Sequence, residues 1–138
     1  MFKLDARLQS DTVFVTDLPL CRVLLMNDSQ FPWLILVPRI NDLAELHELD
    51  DAQTVQYVAE SRLTSKVLQK VFTPYKLNVA ALGNVVRQLH IHHVARFETD
   101  VAWPAPIWGR QAAVPYSAEA LAANLEQLQS AFSMEEKL

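Results

Sequence analysis

The most informative stretch of the chain is residues 88–96, which read Gln88-Leu89-His90-Ile91-His92-His93-Val94-Ala95-Arg96. Successive side chains of a β-strand point to opposite faces of a sheet. A strand over residues 87–96 therefore places Gln88, His90 and His92 on one polar face. The opposite face is mostly apolar, with His93 as its odd member, and is expected to face the core.

Spacing alone leaves three interpretations of this stretch open. The side chains could be ordinary polar residues of a solvated sheet face. His90 and His92 could be two ligands of a divalent metal ion, with Glu98 or Asp100 folding back to complete the site. In the third interpretation one imidazole attacks phosphorus, while its neighbours orient it and bind the phosphate oxygens.

Only two of the 138 residues are glycine, Gly83 and Gly109. A phosphate-binding P-loop or a dinucleotide fingerprint needs two or three glycines within one short window, because the backbone must turn tightly and approach an anion. The sequence has no such window. Any phosphate chemistry must therefore use another device, such as the histidines.

The composition predicts one compact domain spanning residues 1–138, since 51% of the residues are apolar and 20% are charged. The net charge of −4 gives no general attraction to nucleic acid or to an anionic membrane. The apolar runs are too short to span a bilayer. The lone Cys21 cannot form an internal disulfide, and no signal peptide is recognised, so we expect a protein of the reducing cytoplasm.

Outward from the histidines, the chain predicts an α+β fold. Three apolar runs separated by turn residues, 12–16, 21–26 and 33–37, predict an antiparallel meander. Asp50 and Gln53 have the spacing of a capping box at the start of a helix over about 51–72. Thr73-Pro74 ends that helix, because the residue before proline avoids helical geometry.

The second half of the chain predicts two more strands and another helix. Strands over 76–82 and 87–96 flank a turn at Gly83-Asn84, where a positive φ is expected. Residues 101–116 read as an ordered loop, because their large aromatic side chains would be costly to leave in water. Ser117 caps a C-terminal helix with an apolar stripe, and the charged end at 135–138 is expected to fray.

The central stretch resembles the signature of the histidine triad (HIT) superfamily, His-φ-His-φ-His-φ-φ followed by an arginine. Aligned on Arg96, Gln88 takes the first triad position, His90 the middle and His92 the third. Weaker matches come in the family's order along residues 12–96: Asn27, Pro32 to Pro38, Leu46-His47-Glu48-Leu49, Asn78 and Gly83-Asn84.

The resemblance implies an antiparallel sheet of about five strands with one long helix and a C-terminal helix. It also implies a hydrolase or nucleotidyl transferase that cleaves a nucleoside phosphoramidate or a dinucleoside polyphosphate at the α-phosphorus. His90 would be the nucleophile, and His92 would contact the α-phosphate. Asn78, Asn84 and the backbone at Gly83 would contact phosphate oxygens.

Further implications of the resemblance concern the ligand and the assembly. Asn27 would lie near the ribose of a purine nucleotide. Arg96 would be either a phosphate contact or a strand-end ion pair. No metal or other cofactor is required, because backbone and side-chain donors can neutralise the phosphate. Family members commonly form homodimers whose sheets join edge to edge.

Two departures from the family pattern bear on turnover. Gln88 replaces a histidine, and an amide can form hydrogen bonds but cannot exchange a proton near neutral pH. Trp33 follows Pro32 where a Gly-His pair is common, which is expected to remove a polar group from the site. These changes affect turnover more than nucleotide binding, so a binding module without turnover is the alternative. His93 is expected to be a satisfied buried histidine.

Overall fold

The fold is built on a five-stranded antiparallel sheet with the spatial order β1-β2-β3-β5-β4. The computed structural model describes residues 1–135, so the predicted fraying of the charged end concerns mostly residues outside that range. The strands are β1 (Thr12–Asp17), β2 (Cys21–Met26), β3 (Trp33–Pro38), β4 (Lys76–Ala80) and β5 (Ile91–Arg96). The predicted meander corresponds to β1, β2 and β3, each paired with the next.

Three α-helices and a 3-10 turn complete the α+β fold: α1 (Ala6–Asp11), the 3-10 turn (Leu46–Glu48), α2 (Asp51–Phe72) and α3 (Ala118–Glu135). The capping box of α2 is present, with Asp50 Oδ1 accepting from Gln53 N at 2.8 Å and Gln53 Oε1 accepting from Asp50 N at 2.9 Å. The predicted helix bounds are confirmed because these local signals are strong.

The two faces of the sheet are covered by different elements. The core face carries Leu34 and His93, and its apolar residues pack under α2 and α3 against Leu68 and Phe132. The site face carries Ile35, which lies opposite His92 in the register. Part of the site face is covered by the N-terminal segment, residues 1–5, and by α1, whose apolar side chains pack on β2 and β3. Nothing in the sequence pattern predicted this cover.

The strands around the central turn are shorter than predicted. β4 ends at Ala80 and β5 begins at Ile91, so residues 87–90 are not part of the ladder. The backbone N–H of Leu89 donates to Leu43 O at 2.8 Å, which diverts this segment away from the sheet. The predicted alternation of side chains between the two faces, from Gln88 to His92, is therefore wrong for Gln88.

The expected positive φ at Gly83 is also wrong. Within residues 1–135, positive φ angles occur at Asp42, Thr73 and Gly109. Residues 101–116 form the ordered loop that was predicted, and Ser29 N donates to Val114 O at 2.7 Å to hold it against the β2–β3 turn. No helix within the described part of the chain is long and apolar enough to cross a membrane.

Candidate active site

His90 is buried just before β5, with 6% of its surface exposed. Its Nδ1 lies 2.7 Å from the backbone carbonyl of Gln88. Since a carbonyl can only accept, Nδ1 is the donor, and in the neutral ring the lone pair lies on Nε2. No hydrogen bond between Nε2 and another residue is seen within residues 1–135. The neutral ring therefore presents its lone pair at Nε2, the nitrogen that nucleophilic attack requires.

Gly83 lies directly against the His90 ring. A Cβ added at this position would lie 2.5 Å from His90 Cε1 and 2.8 Å from Val86 O. Both distances are far inside van der Waals contact, so only glycine fits without displacing a neighbour. The glycine is required by this close approach rather than by its own backbone angles. Asn84 and His90 both line a cavity of about 290 Å³ beside it.

His92 uses both of its ring nitrogens. Trp33 Nε1 lies 3.0 Å from His92 Nδ1, and His92 Nε2 lies 2.7 Å from Leu82 O. An indole N–H can only donate, so Nδ1 accepts and Nε2 carries the proton. This arrangement fixes one neutral tautomer. It also corrects the expectation that Trp33 removes a polar group from the site, because its indole supplies the donor.

Burial lowers the pKa of His92 to about 4, with smaller contributions in the same direction from His90 and His93, while the bond to Leu82 O opposes the shift. A buried imidazole without an anionic partner is more stable in its neutral form. His92 therefore stays uncharged at neutral pH. It orders the site as a hydrogen-bonded neutral ring rather than as a positive charge.

An aromatic cavity of about 420 Å³ lies beside His92. Its walls include Trp33 and Trp108, whose rings lie 5.6 Å and 5.3 Å from the His92 ring centroid. Asn27 lines the same cavity, and its Oδ1 accepts from Tyr116 N at 3.0 Å. The His90 and His92 rings are 5.0 Å apart, so His92 lies between this cavity and His90.

The Gln88 side chain does not point toward the other two triad positions. Its Oε1 accepts from Asp5 N at 2.8 Å, and its Nε2 donates to Lys3 O at 3.0 Å. The amide is thus engaged with the N-terminal segment. Gln88 contacts His90 only through its backbone carbonyl.

Two other expected substrate contacts are engaged elsewhere. Arg96 is 1% exposed, and its guanidinium makes a bidentate pair with Asp100 at 2.8 and 3.1 Å. It also donates to Asn78 Oδ1 at 2.7 Å and to Ala105 O at 2.9 Å. Burial works to raise the pKa of Asp100, but its hydrogen bonds with Arg96 and two backbone amides outweigh burial, so that pKa is lowered. Arg96 therefore forms the ion pair at the end of β5 that was one of the two expectations, and it holds the loop that follows the strand.

Comparison with known proteins supports the resemblance noted in the sequence. The HIT domain matches residues 7–99 of the chain. The chain belongs to the HIT family.

Solved HIT proteins have the same architecture over nearly their whole length. A histidine triad protein from Marinobacter aquaeolei is 45% identical, with a TM-score of 0.94, covering 97% of this chain and 98% of its own. One from Bradyrhizobium japonicum is 40% identical, with a TM-score of 0.93 and coverages of 95% and 98%. A hypothetical histidine triad nucleotide-binding protein from Sulfolobus tokodaii shares the fold at 14% identity, with a TM-score of 0.68 and coverages of 89% and 85%. No curated protein matches the chain.

The third histidine of the stretch has a different role in this HIT protein. His93 is fully buried on the core face, with Nε2 2.7 Å from Ser61 Oγ and Nδ1 3.2 Å from Ile91 O. Burial lowers its pKa to about 4, partly offset by the Ile91 bond. This is the satisfied buried histidine that the sequence predicted. His47 lies exposed in the 3-10 turn.

The metal interpretation finds little support in the arrangement of side chains. Within residues 1–135, no group of three or more His, Cys, Asp or Glu residues is placed to hold an ion. Asp100, one of the two candidate third ligands, is paired with Arg96. Both ring nitrogens of His92 already have partners.

Three parts of the site escaped sequence reasoning: the Trp33 donor, the Leu82 carbonyl and the N-terminal segment. Tryptophan in a strand reads as core, and a backbone carbonyl has no sequence signal at all. For the segment, the available signal was Asp5, which caps α1 by accepting from Arg7 N and Leu8 N. That cap marks the start of a helix, and it carries no information about the packing of the residues before it.

Proposed function

We propose that this HIT protein binds a nucleotide and cleaves it at the α-phosphorus, as a hydrolase or nucleotidyl transferase acting through His90. The observation that supports the proposal is the hydrogen bonding of the His90 ring: Nδ1 is bonded to Gln88 O at 2.7 Å, and no hydrogen bond of Nε2 is seen within the described residues. The substrate class is a nucleoside phosphoramidate or a dinucleoside polyphosphate.

In the proposed first step, the Nε2 lone pair of His90 forms a bond to the α-phosphorus. The bond from phosphorus to the leaving nitrogen or oxygen breaks, and the leaving group takes that electron pair and a proton from solvent as its basicity requires. The ring becomes positively charged while it carries the nucleotidyl group. The hydrogen bond from Nδ1 to Gln88 O then becomes charge-assisted and stronger, which stabilises the intermediate.

In the second step, water attacks the phosphorus from the side opposite the ring. The P–Nε2 bond breaks, its electron pair returns to Nε2, and the nucleoside monophosphate leaves with the water oxygen, while the water's displaced proton passes to solvent. His90 is restored with the same tautomer. An alcohol or phosphate in place of water would make the same step a nucleotidyl transfer.

The aromatic cavity is the proposed pocket for the nucleoside. Its volume of about 420 Å³ and its tryptophan walls suit a stacked purine, and Asn27 offers an amide to the ribose hydroxyls. Asn84 lies in the cavity beside His90 and is the proposed side-chain donor to phosphate. In the proposed binding mode the nucleoside lies in the aromatic cavity and the α-phosphate lies near His90, whose ring is 5.0 Å from that of His92.

A nucleotide-binding module with little turnover is the second candidate function. The observation that favours it is that the Gln88 amide is held by Lys3 and Asp5, and an amide cannot supply a proton to the leaving group near neutral pH. Binding without release of nucleoside monophosphate would establish this alternative.

The experiment is to incubate the protein with an adenosine phosphoramidate, and separately with diadenosine polyphosphates, and to follow AMP by chromatography. We expect AMP release, and we expect His90→Ala to lower it by at least about a thousandfold. His93→Gln, on the core face, is the matched control and should retain release. Equal activity in wild type and His90→Ala would show that His90 is not the nucleophile.

A second copy of the same chain is the proposed partner. β4 is an edge strand of the sheet, and Val79 on it is 50% exposed. An uncovered edge with an apolar side chain is suited to pairing with another sheet. Light scattering should give a dimer, and Val79→Lys should shift it toward monomer. A monomeric wild type at micromolar concentration would contradict this assembly.

A further inference from the structure

The N-terminal segment is held by two amide side chains. Asn41 Oδ1 accepts from Lys3 N at 2.9 Å, and Asn41 Nδ2 donates to Met1 O at 2.9 Å. Gln88 holds the same segment through Asp5 N at 2.8 Å and Lys3 O at 3.0 Å. The two residues thus make equivalent bonds to one short stretch of backbone.

Only one of these two amides is connected to the nucleophile. The backbone carbonyl of Gln88 accepts from His90 Nδ1 at 2.7 Å, whereas Asn41 makes its hydrogen bonds to Lys3 and Met1 alone among the described residues. Gln88 therefore links the N-terminal segment at its side chain to the His90 ring at its backbone. Residues 87–90 lie outside the sheet, and the peptide group that carries this carbonyl is held on its N–H side by the bond from Leu89 N to Leu43 O, so the Gln88 side chain supplies a second anchor.

We propose that Gln88 is a positioning residue, and that the N-terminal segment orients His90 by clamping the Gln88 amide. Two bonds at opposite ends of a planar amide restrict its rotation, and the restricted side chain fixes the backbone that carries the carbonyl. The carbonyl in turn selects the Nδ1–H tautomer of His90 and sets the direction of Nε2. The catalytic consequence rests on the proposed function, whereas the structural consequence does not.

Glutamine suits this task better than the histidine of the triad pattern. The clamp needs one acceptor for Asp5 N and one donor for Lys3 O. An amide provides both at every pH, whereas an imidazole that takes up a proton becomes a double donor and loses the acceptor. The substitution at the first triad position therefore exchanges a titrating group for a permanent clamp.

The test compares Gln88→Ala with Asn41→Ala, which loosens the same segment without touching the carbonyl that holds His90. Nitrogen-15 NMR of the imidazole reports the tautomer directly. We expect wild-type His90 to be the Nδ1–H tautomer, Gln88→Ala to give a mixture, and Asn41→Ala to match wild type. In AMP release, Gln88→Ala should lower kcat about tenfold with KM nearly unchanged, because a small misalignment of a nucleophile affects the chemical step.

A second pair of variants tests the clamp from the segment's side. Asp5 has φ −54°, which proline tolerates, so Asp5→Pro removes the N–H that donates to Gln88. Asp5→Ala is its control, since both variants lose the helix cap and only the proline variant loses the donor. Asp5→Pro should reproduce the His90 tautomer mixture, and Asp5→Ala should not.

The outcomes separate the two proposals. A shifted His90 tautomer in Gln88→Ala, with no AMP release by wild type, would support the clamp and reject the proposed function. Active wild type with unchanged tautomer and kcat in Gln88→Ala would overturn the clamp alone. Equal loss of kcat in Gln88→Ala and Asn41→Ala without a tautomer change would also overturn it. That result would mean that the N-terminal segment covers the site but does not orient the His90 ring.

Discussion

Three histidines lie on β5 or just before it, and their ring nitrogens bind different partners. His93 on the core face has both nitrogens engaged, by Ser61 and by Ile91 O. His92 on the site face also has both engaged, by Trp33 and Leu82 O. His90 has Nδ1 held by Gln88 O, and within residues 1–135 no hydrogen bond of its Nε2 is seen.

The comparison teaches that residue type and burial do not distinguish the proposed nucleophile, His90, from a structural histidine. All three rings are nearly inaccessible, with His90 at 6%, His92 at 4% and His93 at 0% exposure. Their hydrogen-bond partners distinguish them: His92 and His93 are held at both ring nitrogens, whereas within residues 1–135 His90 is held at Nδ1 alone, as the proposed role requires.

Among the variants compared below, Gly83→Ala, next to His90, is expected to have the largest effect. The new Cβ would overlap His90 Cε1 and Val86 O, so the ring must move. We expect kcat for AMP release to fall about a hundredfold, as a displacement of about 1 Å implies. Gly109→Ala is the comparison for stability alone, because Gly109 has φ +73° and an added Cβ would meet no atom within 4 Å, and it should cost about 1 kcal/mol. An unchanged kcat in Gly83→Ala would contradict the close approach.

The two structural histidines predict a loss of stability in acid. In the unfolded chain a histidine takes up its proton near pH 6.5, whereas His92 and His93 in the fold have pKa values of about 4. Between these values the unfolded state binds more protons. The free energy of unfolding should therefore fall as pH falls from 6.5 to 4, by up to about 1.4 kcal/mol per pH unit for each histidine.

Urea denaturation at several pH values measures this dependence, and His93→Gln sharpens it. The variant removes one of the two titrating rings, so its stability should fall less steeply between pH 6.5 and 4.5 than that of wild type. Parallel curves for the two proteins would mean that His93 does not stay neutral in the fold.

The smallest expected effect comes from Trp33→Phe, which removes the donor to His92 Nδ1. His92 keeps the Nε2–H tautomer, because Leu82 O still accepts from Nε2, but Nδ1 loses its donor. We expect kcat to fall about fivefold, equivalent to one hydrogen bond of about 1 kcal/mol. Trp103→Phe is the control, because Trp103 packs on Arg96 instead. A shifted His92 Nδ1 resonance in nitrogen-15 NMR of Trp33→Phe, with Nε2 still protonated, would support the assignment, whereas an unchanged Nδ1 resonance would contradict it.

The sequence predicted most of the fold because its signals are local. The capping box at Asp50, the Thr73-Pro74 stop and the three apolar runs each act within a few residues, and the structure confirms the elements they predict. The strand ends near the turn were predicted wrongly because their backbone bonds are long-range. Leu89 N pairs with Leu43 O, and Leu82 O accepts from the His92 ring, neither of which leaves a pattern in the sequence.

The candidate site was predictable in its residue types but not in its connections. The alternation that groups Gln88 with His90 and His92 holds only for the two histidines, whose rings lie 5.0 Å apart. Gln88 turns to the N-terminal segment, and Arg96 and Asn78 pair with each other. These hydrogen bonds join residues that lie 18 to 83 positions apart in the sequence, and a local sequence pattern does not encode such pairs.

The most direct test of the account is to find which imidazole carries the nucleotidyl group. Wild-type protein would be mixed with an adenosine phosphoramidate, quenched in alkali within milliseconds to seconds, digested and examined by mass spectrometry. The account predicts an adenylyl group on His90, absent in His90→Ala and retained in His93→Gln. An adduct on His92 or His93, or steady AMP release with no adduct on any histidine, would contradict it.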